Sequence, residues 1–476
     1  MLARTQTPRQ FELFAQTVGA AGSRRPEAGG CRSTLIALPL ALFYTSGVAG
    51  SEKGVRAKAV PDTEARHPQQ LRRVNRDRVL AAAMGHPGPL TRTAITAATG
   101  LSAPTVGSLT AELLKLGLLS ELGQGPSTGG RPPRSLRFNT HYGVVAGIVL
   151  GAEVTRLAVA DLAGETVAAA ETKTPQEESP ERVLSWMSGQ IRTLLSAPGV
   201  ARGRGLLAVT AGLPGAVDRE RGTVVGLMPG FRNWESLAVG ADLARLVEAP
   251  VVVENDVKLA VLGEHWRGAA QGHDTCVFIS LGVGIGAGIL IGGELHRGHH
   301  SLAGEIAVMC MASEYLAGDF GTRGCLETLV GFDTIIRRWR PEASGDLEDQ
   351  ARALLRAARA GDESARRATD DAATLIGMAA ANLSLVIDPS LLVLNGPLVE
   401  TGGDVLERVR RVVSQIIPRA PKVVCSALRD GAMLSGSLLV ATQEARGRLR
   451  GLLRDPRGPA ERQAAKGPAA ILDATA

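Results

Sequence analysis

Residues 89–137 read PLTRTAITAATGLSAPTVGSLTAELLKLGLLSELGQGPSTGGRPPRSLR, and they decide the fold of the N-terminal part of the chain. Two short helical patterns meet at Gly100. The first spans Thr91–Thr99, and the second starts at Ser102, a residue type that is favoured at the N-cap of a helix. Apolar residues then recur at helical spacing, at Val106, Leu109 and Leu113. This stretch predicts a helix-turn-helix, whose second helix can lie in a DNA major groove.

A β-hairpin is predicted directly after the second helix, in the sequence GLLSELGQGPSTGGRPPRSLRF. Its tip carries Gly-Gly-Arg-Pro at residues 129–132. An arginine on such a slim tip suits a minor groove, because the negative potential there attracts its guanidinium. Helices and hairpin together predict a winged helix-turn-helix that binds double-stranded DNA. The alternative is a small helical bundle without a role in DNA binding.

Five side chains of this segment are expected to contact an operator DNA. Two polar residues of the second helix would face bases or phosphates, and the arginine of the hairpin tip would reach the minor groove. The set is Arg92, Thr105, Ser108, Arg131 and Arg134. Replacing Arg131 by alanine should weaken operator binding, and an affinity that stays unchanged across salt concentrations would reject that role.

The positive charge of the chain is concentrated in the same segment. Residues 67–137 carry nine Lys or Arg and three Asp or Glu, whereas residues 138–476 carry 35 and 39. A basic N-terminal part suits contact with phosphates. The larger C-terminal part is mildly acidic and does not need nucleic acid as a partner. The 476 residues are enough for two or three domains.

Residues 1 to about 59 are expected to lie outside the working protein. Thr34–Gly50 is largely apolar and follows several arginines, so it resembles the core of a signal peptide, although it is short for a transmembrane helix. Because secretion of a DNA-binding module makes little sense, our hypothesis is that translation starts near Val60. Peptides from residues 1–59 in the cytosolic protein would contradict it. The five cysteines are scattered and odd in number, which fits a reducing cytoplasm.

Past the hairpin, the pattern changes to an α/β arrangement that occurs twice. Three strands are predicted at 143–150, 155–161 and 166–171, before an amphipathic helix at 180–195. A strand, a glycine turn and a second strand recur over 275–291. The repetition indicates a duplicated α/β domain with a cleft between two lobes. Open α/β sheets bind ligands at the carboxyl ends of their strands.

Four segments follow from these patterns. They are a leader at 1–66, a winged helix-turn-helix at 67–140, a two-lobed α/β domain at 141–448, and a tail at 449–476. The tail is rich in Pro, Gly, Arg and Ala, a composition that predicts disorder.

Ordered motifs along residues 71–441 resemble those of the ROK family, which comprises repressors, open reading frames and sugar kinases. The order and spacing of the motifs carry the resemblance. They are the helix-turn-helix, GGRP at 129–132, DLAG at 161–164, GLPG at 212–215, VVVENDV at 251–257, LGVGIGAGI at 281–289, LAGEIAVM at 302–309 and RGCLET at 323–328. The resemblance implies a duplicated actin-like, ribonuclease-H-type two-lobed domain. It also implies that members with an N-terminal winged helix are sugar-linked transcription regulators, whereas members without it are sugar kinases.

Two phosphate-binding motifs of the kinases of this family are altered here. Where the kinases have Asp-x-Gly-Gly-Thr, this chain has Val149 at the Asp position, Ala152 at the second Gly and Glu153 at the Thr. An aliphatic side chain cannot hold Mg²⁺, and Glu153 would repel phosphate. In the second loop, Gly-Thr-Gly becomes Gly-Val-Gly at 282–284. These replacements argue against an ATP-dependent kinase, because phosphoryl transfer depends on positioning and charge neutralisation, and no cofactor is expected.

The sugar-binding residues of the family are better kept. Asn255 and Asp256 match its Asn-Asp pair, and Glu305 and Glu327 match two further sugar contacts. Carboxylates and amides suit sugar hydroxyls because they accept and donate hydrogen bonds in defined directions. In a kinase the Asp is also the general base, whereas here its expected role is to bind a hydroxyl. The alternative is that Asp256 only caps the helix that begins at Val257.

The zinc motif of the family is incomplete. Ala307 and Val308 replace its Gly-His, and only Cys325 remains of its three cysteines, with Gly318 and Phe320 at the other two positions. One thiolate cannot make the tetrahedral site of a structural zinc, so no metal is expected. Because the lost histidine would also contact the sugar, the ligand is expected to be altered or weakly bound.

Three hypotheses result. The first is a cytoplasmic, DNA-binding repressor whose degenerate sugar-kinase-like domain senses a sugar or sugar phosphate. This regulator would bind DNA as a homodimer or homotetramer, and no membrane is expected as a partner. The second is an active sugar kinase with a DNA-binding appendage. The third is a ligand-blind regulator whose sensor domain only dimerises. Sugar binding without ATP turnover would favour the first, and a phosphorylated product the second.

Overall fold

The structure, a computed structural model, describes most of the chain from residue 68 to residue 454. The described ranges are 68–86, 88–124, 134–175, 178–200, 205–226, 231, 233–234, 237–282, 284–318, 323–400 and 403–454. The predictions for the leader, for Arg131 at the hairpin tip and for Val283 in the second loop lie outside these residues.

The N-terminal part has three helices followed by a two-stranded antiparallel sheet. In order they are α1 (Pro68–Gly85), α2 (Arg92–Thr99), α3 (Ala103–Lys115), β1 (Leu119–Gln124) and β2 (Arg134–Phe138). Gly100 ends α2 in a left-handed conformation with φ of +69°. Ser102 caps α3, since its side chain accepts a hydrogen bond from the Thr105 N–H. Helices α2 and α3 and the strands β1 and β2 lie where the sequence predicts two helices and a hairpin.

The first lobe is built on a five-stranded sheet. Its elements are β3 (Val144–Val149), β4 (Val154–Asp161), β5 (Thr166–Lys173), α4 (Pro180–Leu195), β6 (Leu206–Leu213), β7 (Ala216–Asp218), β8 (Thr223–Gly226), α5 (Val239–Val247), β9 (Val251–Asn255) and α6 (Asp256–Arg267). Helix α4 buries one amphipathic face, including Val183, Met187 and Ile191, in the core of this lobe.

The second lobe repeats the design. Its elements are β10 (Cys276–Leu281), β11 (Ile285–Ile291), β12 (Glu294–Leu295), α7 (Cys325–Val330), α8 (Phe332–Trp339), α9 (Leu347–Arg359), α10 (Glu363–Ile387), β13 (Leu391–Asn395), α11 (Pro397–Glu400), α12 (Gly403–Ile416), β14 (Lys422–Cys425) and α13 (Gly431–Arg454). Among the described helices, α10 alone is long and apolar enough to cross a membrane. Its buried alanines and Ile376 belong to the core of this lobe.

The two sheets share one topology, which confirms the predicted duplication. The strand orders are β5-β4-β3-β6-β9 and β12-β11-β10-β13-β14. In each sheet three antiparallel strands come first, and two parallel strands complete the sheet. Parallel strands place their carboxyl ends at one edge, so each lobe presents one such edge to a ligand.

Helices α6 and α13 connect the lobes. Helix α13 lies against β3 and β6 of the first sheet, α6 lies against β10 and β11 of the second, and the helices pack on each other. They are so close that a Cβ at Gly263 would lie 2.1 Å from the Ala432 carbonyl oxygen, and a Cβ at Gly436 would lie 1.8 Å from that of Leu259. Only glycine fits at this crossing, so a shift of one helix must move the other.

Helix α13 also carries the N-terminal part. Side chains of α1, α3, the first sheet and α13 form one hydrophobic core, which includes Val79, Leu80, Leu113, Val145, Ala160, Leu438, Ala445 and Leu449. The boundary predicted near residue 140 therefore crosses a continuous core. The tail predicted from residue 449 is corrected, because residues 449–454 are the last turns of α13 and bury Leu449 and Leu453.

A buried ion pair joins the far end of α13 to α1. Arg450 Nε donates to Asp77 Oδ1 at 2.7 Å, and Arg450 Nη2 donates to Oδ2 at 3.1 Å. Only 1% of Asp77 is exposed. Arg76 Nη2 donates to the Leu453 carbonyl oxygen at 2.9 Å. Helix α13, which starts at the lobes, thus ends on α1.

Candidate functional site

A cleft of about 550 Å³ opens at the carboxyl ends of the strands of both sheets. All four residues that the sequence predicts for sugar binding line it. Asn255 ends β9, Asp256 begins α6, Glu305 follows β12 on a loop, and Glu327 lies on α7. The structure therefore brings together side chains that are up to 72 residues apart in sequence.

Asn255 is the residue that caps α6. Its Oδ1 accepts from the Lys258 N–H at 2.8 Å, and its Nδ2 donates to the Gly215 carbonyl oxygen at 2.9 Å and to Asp256 Oδ1 at 3.1 Å. The N-cap of α6 is therefore Asn255 and not Asp256. With both amide hydrogens engaged in the protein, Asn255 orients Asp256 toward the cleft, and its predicted sugar contact stays untested.

Asp256 is a half-buried carboxylate at the first turn of α6. Its Oδ1 accepts from the Val257 N–H at 2.7 Å. Burial raises the pKa of Asp256 to about 7, since it penalises the charged form, and the nearby Glu305 adds to this effect. A carboxylate kept in the cleft at such a cost is typical of a functional group.

Glu305 is held by a lysine that sequence analysis missed. Lys258, 1% exposed, donates from Nζ to the Ser301 carbonyl oxygen at 2.7 Å and lies 3.6 Å from Glu305 Oε1. Burial raises the pKa of Glu305, and the Lys258 ammonium partly offsets this. The signal was a lysine within ENDVKLAV, on an otherwise buried helix that starts at Asp256.

Replacing Lys258 by methionine should weaken sugar binding about tenfold, because Glu305 loses a charged hydrogen-bonding neighbour. Without the ammonium the pKa of Glu305 rises further, so the loss should grow as the pH falls. Calorimetry with D-glucose and D-xylose between pH 6 and 8 measures this. Lys422→Met, on an exposed strand end, is the matched control. An affinity within twofold of wild type at every pH would contradict the positioning role.

A buried carboxylate of the first lobe, Glu254, fixes the loop that carries Glu305. Glu254 is fully buried at the end of β9, and Arg297 donates to its Oε2 at 2.8 Å from Nε. Arg219 lies 3.8 Å from the same oxygen. Since Arg297 follows β12, this ion pair ties a loop of the second lobe to a strand of the first. Sequence reasoning missed it because the partners are 43 residues apart.

Glu327 lines the cleft from α7. Its Oε2 accepts from the Ile285 N–H at 3.4 Å, and Arg323 Nε donates to its Oε1 at 3.4 Å. Burial raises the pKa of Glu327, and the Ile285 N–H and Arg323 oppose the shift. Arg323 also donates to Asp333 Oδ1 at 2.6 Å, so it bridges two carboxylates.

The phosphate side of the cleft is acidic. Glu153 lines it, and Val149 is buried at the end of β3, 6% exposed. Arg156 is engaged with carboxylates here: its Nε donates to Glu171 Oε2 at 3.0 Å, and its Nη2 lies 3.5 Å from Asp430 Oδ2. Asp430 directly precedes α13. This ion-pair group therefore joins β4, β5 and the start of α13.

Two of the arginines predicted to contact DNA converge on one carboxylate. Arg92 Nη2 lies 3.1 Å from Glu121 Oε1, and Arg134 Nη1 lies 2.8 Å from Glu121 Oε2. These hydrogen bonds, first from Arg134 and then from Arg92, lower the pKa of Glu121. Both guanidiniums stay partly exposed at 38% and 56%. Their contact with DNA stays a prediction.

The predicted helix residues lie at the start and on the exposed side of α3. Thr105 Oγ1 is 2.8 Å from Ser102 Oγ, and Ser108 Oγ accepts from Arg72 Nη2 at 2.7 Å. Arg72 of α1, whose guanidinium also pairs with Glu112 of α3, thus places a cation beside α3. The hairpin tip with Arg131 is outside the described residues.

Among the histidine, cysteine and carboxylate side chains that the structure describes, no three are placed to hold a metal ion. Cys325 is buried at the start of α7, and Cys310 is exposed, with its Sγ 3.2 Å from the Ala312 carbonyl oxygen.

Comparison with known proteins places these features in context. The ROK family profile matches residues 145–444. The xylose repressor of Caldicellulosiruptor bescii is 27% identical over 371 residues, which cover 75% of this chain and 92% of that protein. Since only 32 residues follow residue 444, that alignment extends into the N-terminal part. The glucokinase of Thermotoga maritima is 32% identical over 246 residues, covering 48% of this chain and 77% of that enzyme.

Solved structures give the same picture of the fold. A ROK family transcriptional regulator, a homologue of the E. coli MLC protein, superposes with a TM-score of 0.66 at 23% identity, covering 81% of this chain and 99% of that one. A ROK family glucokinase from Streptomyces griseus, solved with glucose and AMPPNP, has a TM-score of 0.53 at 27% identity, covering 63% and 100%.

Proposed function

We propose, from the premise that this chain belongs to the ROK family, that it is a DNA-binding transcriptional repressor whose two-lobed domain senses a sugar without phosphorylating it. The observation that carries this proposal is the single core shared by α1, α3, the first sheet and α13. It links a helix-turn-helix to a cleft lined by Asp256, Glu305 and Glu327. The similarity to a xylose repressor also supports the proposal, because it extends beyond the two lobes into the N-terminal part.

The coupling follows from the two helices that start at the cleft. Asp256 begins α6, and Asp430 and Met433 place the start of α13 in the cleft lining. A ligand that binds one lobe angle better than another shifts the equilibrium between them. The tight glycine crossing of α6 and α13 passes that change to α1, where Arg450 contacts Asp77. Sugar binding then changes the spacing of paired DNA-binding parts in a homodimer or homotetramer.

A sugar kinase is the second candidate, favoured by Asp256 at the position of the kinase base and by the similarity to glucokinases. Glu153 in the cleft and buried Val149 argue against it. Release of ADP from ATP–Mg²⁺ in the presence of D-glucose or D-xylose decides between the two. We expect none above the buffer rate, and sugar-dependent ADP release would establish the kinase.

The DNA half of the proposal is tested by in vitro selection of random duplexes on the purified full chain. We expect enrichment of an inverted repeat, because symmetric oligomers bind paired half-sites. A selected pool that binds no better than the starting pool would reject sequence-specific recognition. A cytoplasmic location goes with this function.

Replacing Arg92 or Arg134 by alanine should weaken DNA binding and lower its salt dependence. Each lost phosphate contact reduces the slope of log K against log salt by about 0.9. Fluorescence anisotropy with a random-sequence duplex at several salt concentrations measures the slope without knowledge of the operator. Arg182→Ala, an exposed arginine on α4, is the matched control. A slope equal to that of wild type would remove either residue from the interface.

A further inference from the structure

Among the residues that the structure describes, the charged lining of the cleft is mostly acidic. It contains seven carboxylates and three guanidiniums, namely Glu153, Glu171, Asp256, Glu305, Glu327, Asp346 and Asp430 against Arg156, Arg323 and Arg352. Carboxylates accept hydrogen bonds, so such a lining matches a ligand that offers many donors.

The three arginines are already paired with carboxylates. Arg156 contacts Glu171 and Asp430, and Arg323 contacts Glu327 and Asp333. Arg352 donates from Nη1 to Asp349 Oδ1 at 3.1 Å. A phosphate that bound one of these guanidiniums would have to share it with a carboxylate and lie beside that negative charge.

A buried acceptor without a hydrogen-bond partner also favours a ligand that donates hydrogen bonds. Asn395 ends β13, is 6% exposed and lines the cleft. Its Oδ1 is buried and has no hydrogen-bond partner among the residues that the structure describes. A buried acceptor left without a donor is costly, so a ligand hydroxyl or ammonium would satisfy it and a phosphate oxygen would not.

We propose that this cleft selects an unphosphorylated, donor-rich sugar and excludes its phosphate monoester. The proposal rests on the proposed function, since it assigns the ligand class of the same sensor site. Its basis is the excess of carboxylates, the prior pairing of the arginines and the orphan oxygen of Asn395. The raised pKa values of Asp256, Glu305 and Glu327 reflect the same shortage of positive charge.

The test is calorimetry of the full chain at pH 8 with two matched pairs of ligands. These are D-glucose with D-glucose 6-phosphate, and D-xylose with D-xylose 5-phosphate. We expect the free sugar to bind at least about tenfold more tightly than its phosphate, because like charges in a desolvated site are strongly unfavourable. Equal or tighter binding of a phosphate overturns this inference alone. If none of the four binds, the sensor function fails, and this inference fails with it.

A variant locates the cause of the discrimination. Glu171→Gln releases Arg156 from one carboxylate and removes one negative charge, so the ratio of the two affinities should fall about threefold or more. Glu181→Gln, an exposed carboxylate on α4 outside the cleft, is the matched control and should leave the ratio unchanged. A ratio that does not move in Glu171→Gln would show that the ion-pair group does not exclude the phosphate.

Discussion

Replacing Asp256 by asparagine is expected to abolish the response to sugar and, at the same time, to stabilise the ligand-free protein above neutral pH. Asp256 lies at the start of α6, lines the cleft and is oriented by Asn255. Hydrogen bonds to an ionised carboxylate are about twice as strong as neutral ones. We therefore expect sugar affinity to fall about 100-fold, as for a site that loses a buried polar contact.

Whereas the substitution weakens sugar binding, it should stabilise the ligand-free protein, because burial raises the pKa of Asp256 from 3.8 to about 7. Between these values the folded protein holds a proton that the unfolded chain releases, so this group lowers the free energy of unfolding as the pH rises from 4 to 7. Above pH 7 the full cost is present. Asparagine removes it, and the gain at pH 8 should be on the order of 2 kcal/mol.

Thermal unfolding at pH 5.5 and pH 8, together with calorimetry, measures both effects. The variant should gain stability over wild type at pH 8 and lose about half of that gain at pH 5.5, because pH 5.5 lies about midway between the two pKa values. Asp371→Asn, at an exposed aspartate within α10, is the matched control and should change neither quantity. Sugar affinity within twofold of wild type would remove Asp256 from the binding site.

Replacing Arg450 by alanine is expected to separate the DNA-binding part from the sensor. Arg450 makes two hydrogen bonds to Asp77, whose carboxylate is buried between α1 and α13. Removing one partner of a buried ion pair typically costs about 3–5 kcal/mol, because the other charge stays buried. The cost should fall on α1, α2 and α3, whereas the cleft keeps its contacts.

Hydrogen exchange of the full chain should show faster exchange in α1–α3 and unchanged protection in β10 and α10. DNA affinity should fall, and sugar affinity should stay within twofold. Arg448→Ala on the same helix is the control, since its pair with Glu444 is exposed and worth about 0.5 kcal/mol. The double variant Asp77→Leu, Arg450→Met should regain most of the stability. Unchanged exchange in Arg450→Ala would contradict the link through α13.

Local signals explain why much of the fold could be predicted. The helix-turn-helix depends on Thr91, Gly100 and Ser102, whose capping roles are set by their neighbours in sequence. The duplication followed from strand patterns that recur after about 130 residues, and the two sheets have corresponding strand orders. The cleft residues came from motifs, and the structure places all four in one cavity.

What could not be predicted depends on contacts that are distant in sequence. Asp77 and Arg450 are 373 residues apart, and no sequence pattern around either residue predicts that they pair. Composition was misleading at the C terminus, because the Arg- and Gly-rich run was interpreted as a tail although Leu449 and Leu453 keep helical spacing. The role of Lys258 could not be predicted, because its burial depends on the distant loop that carries Ser301 and Glu305.

The most direct test of the account is the DNA affinity of the full chain with and without sugar. Fluorescence anisotropy with the selected duplex, at fixed salt and with saturating D-xylose or D-glucose, gives this value. We expect the sugar that binds to weaken DNA binding by about 5-fold or more, and the DNA to weaken sugar binding by the same factor, as linkage requires. Asp256→Asn should lose the response. A DNA affinity that stays constant while sugar is bound would contradict a sugar-controlled repressor.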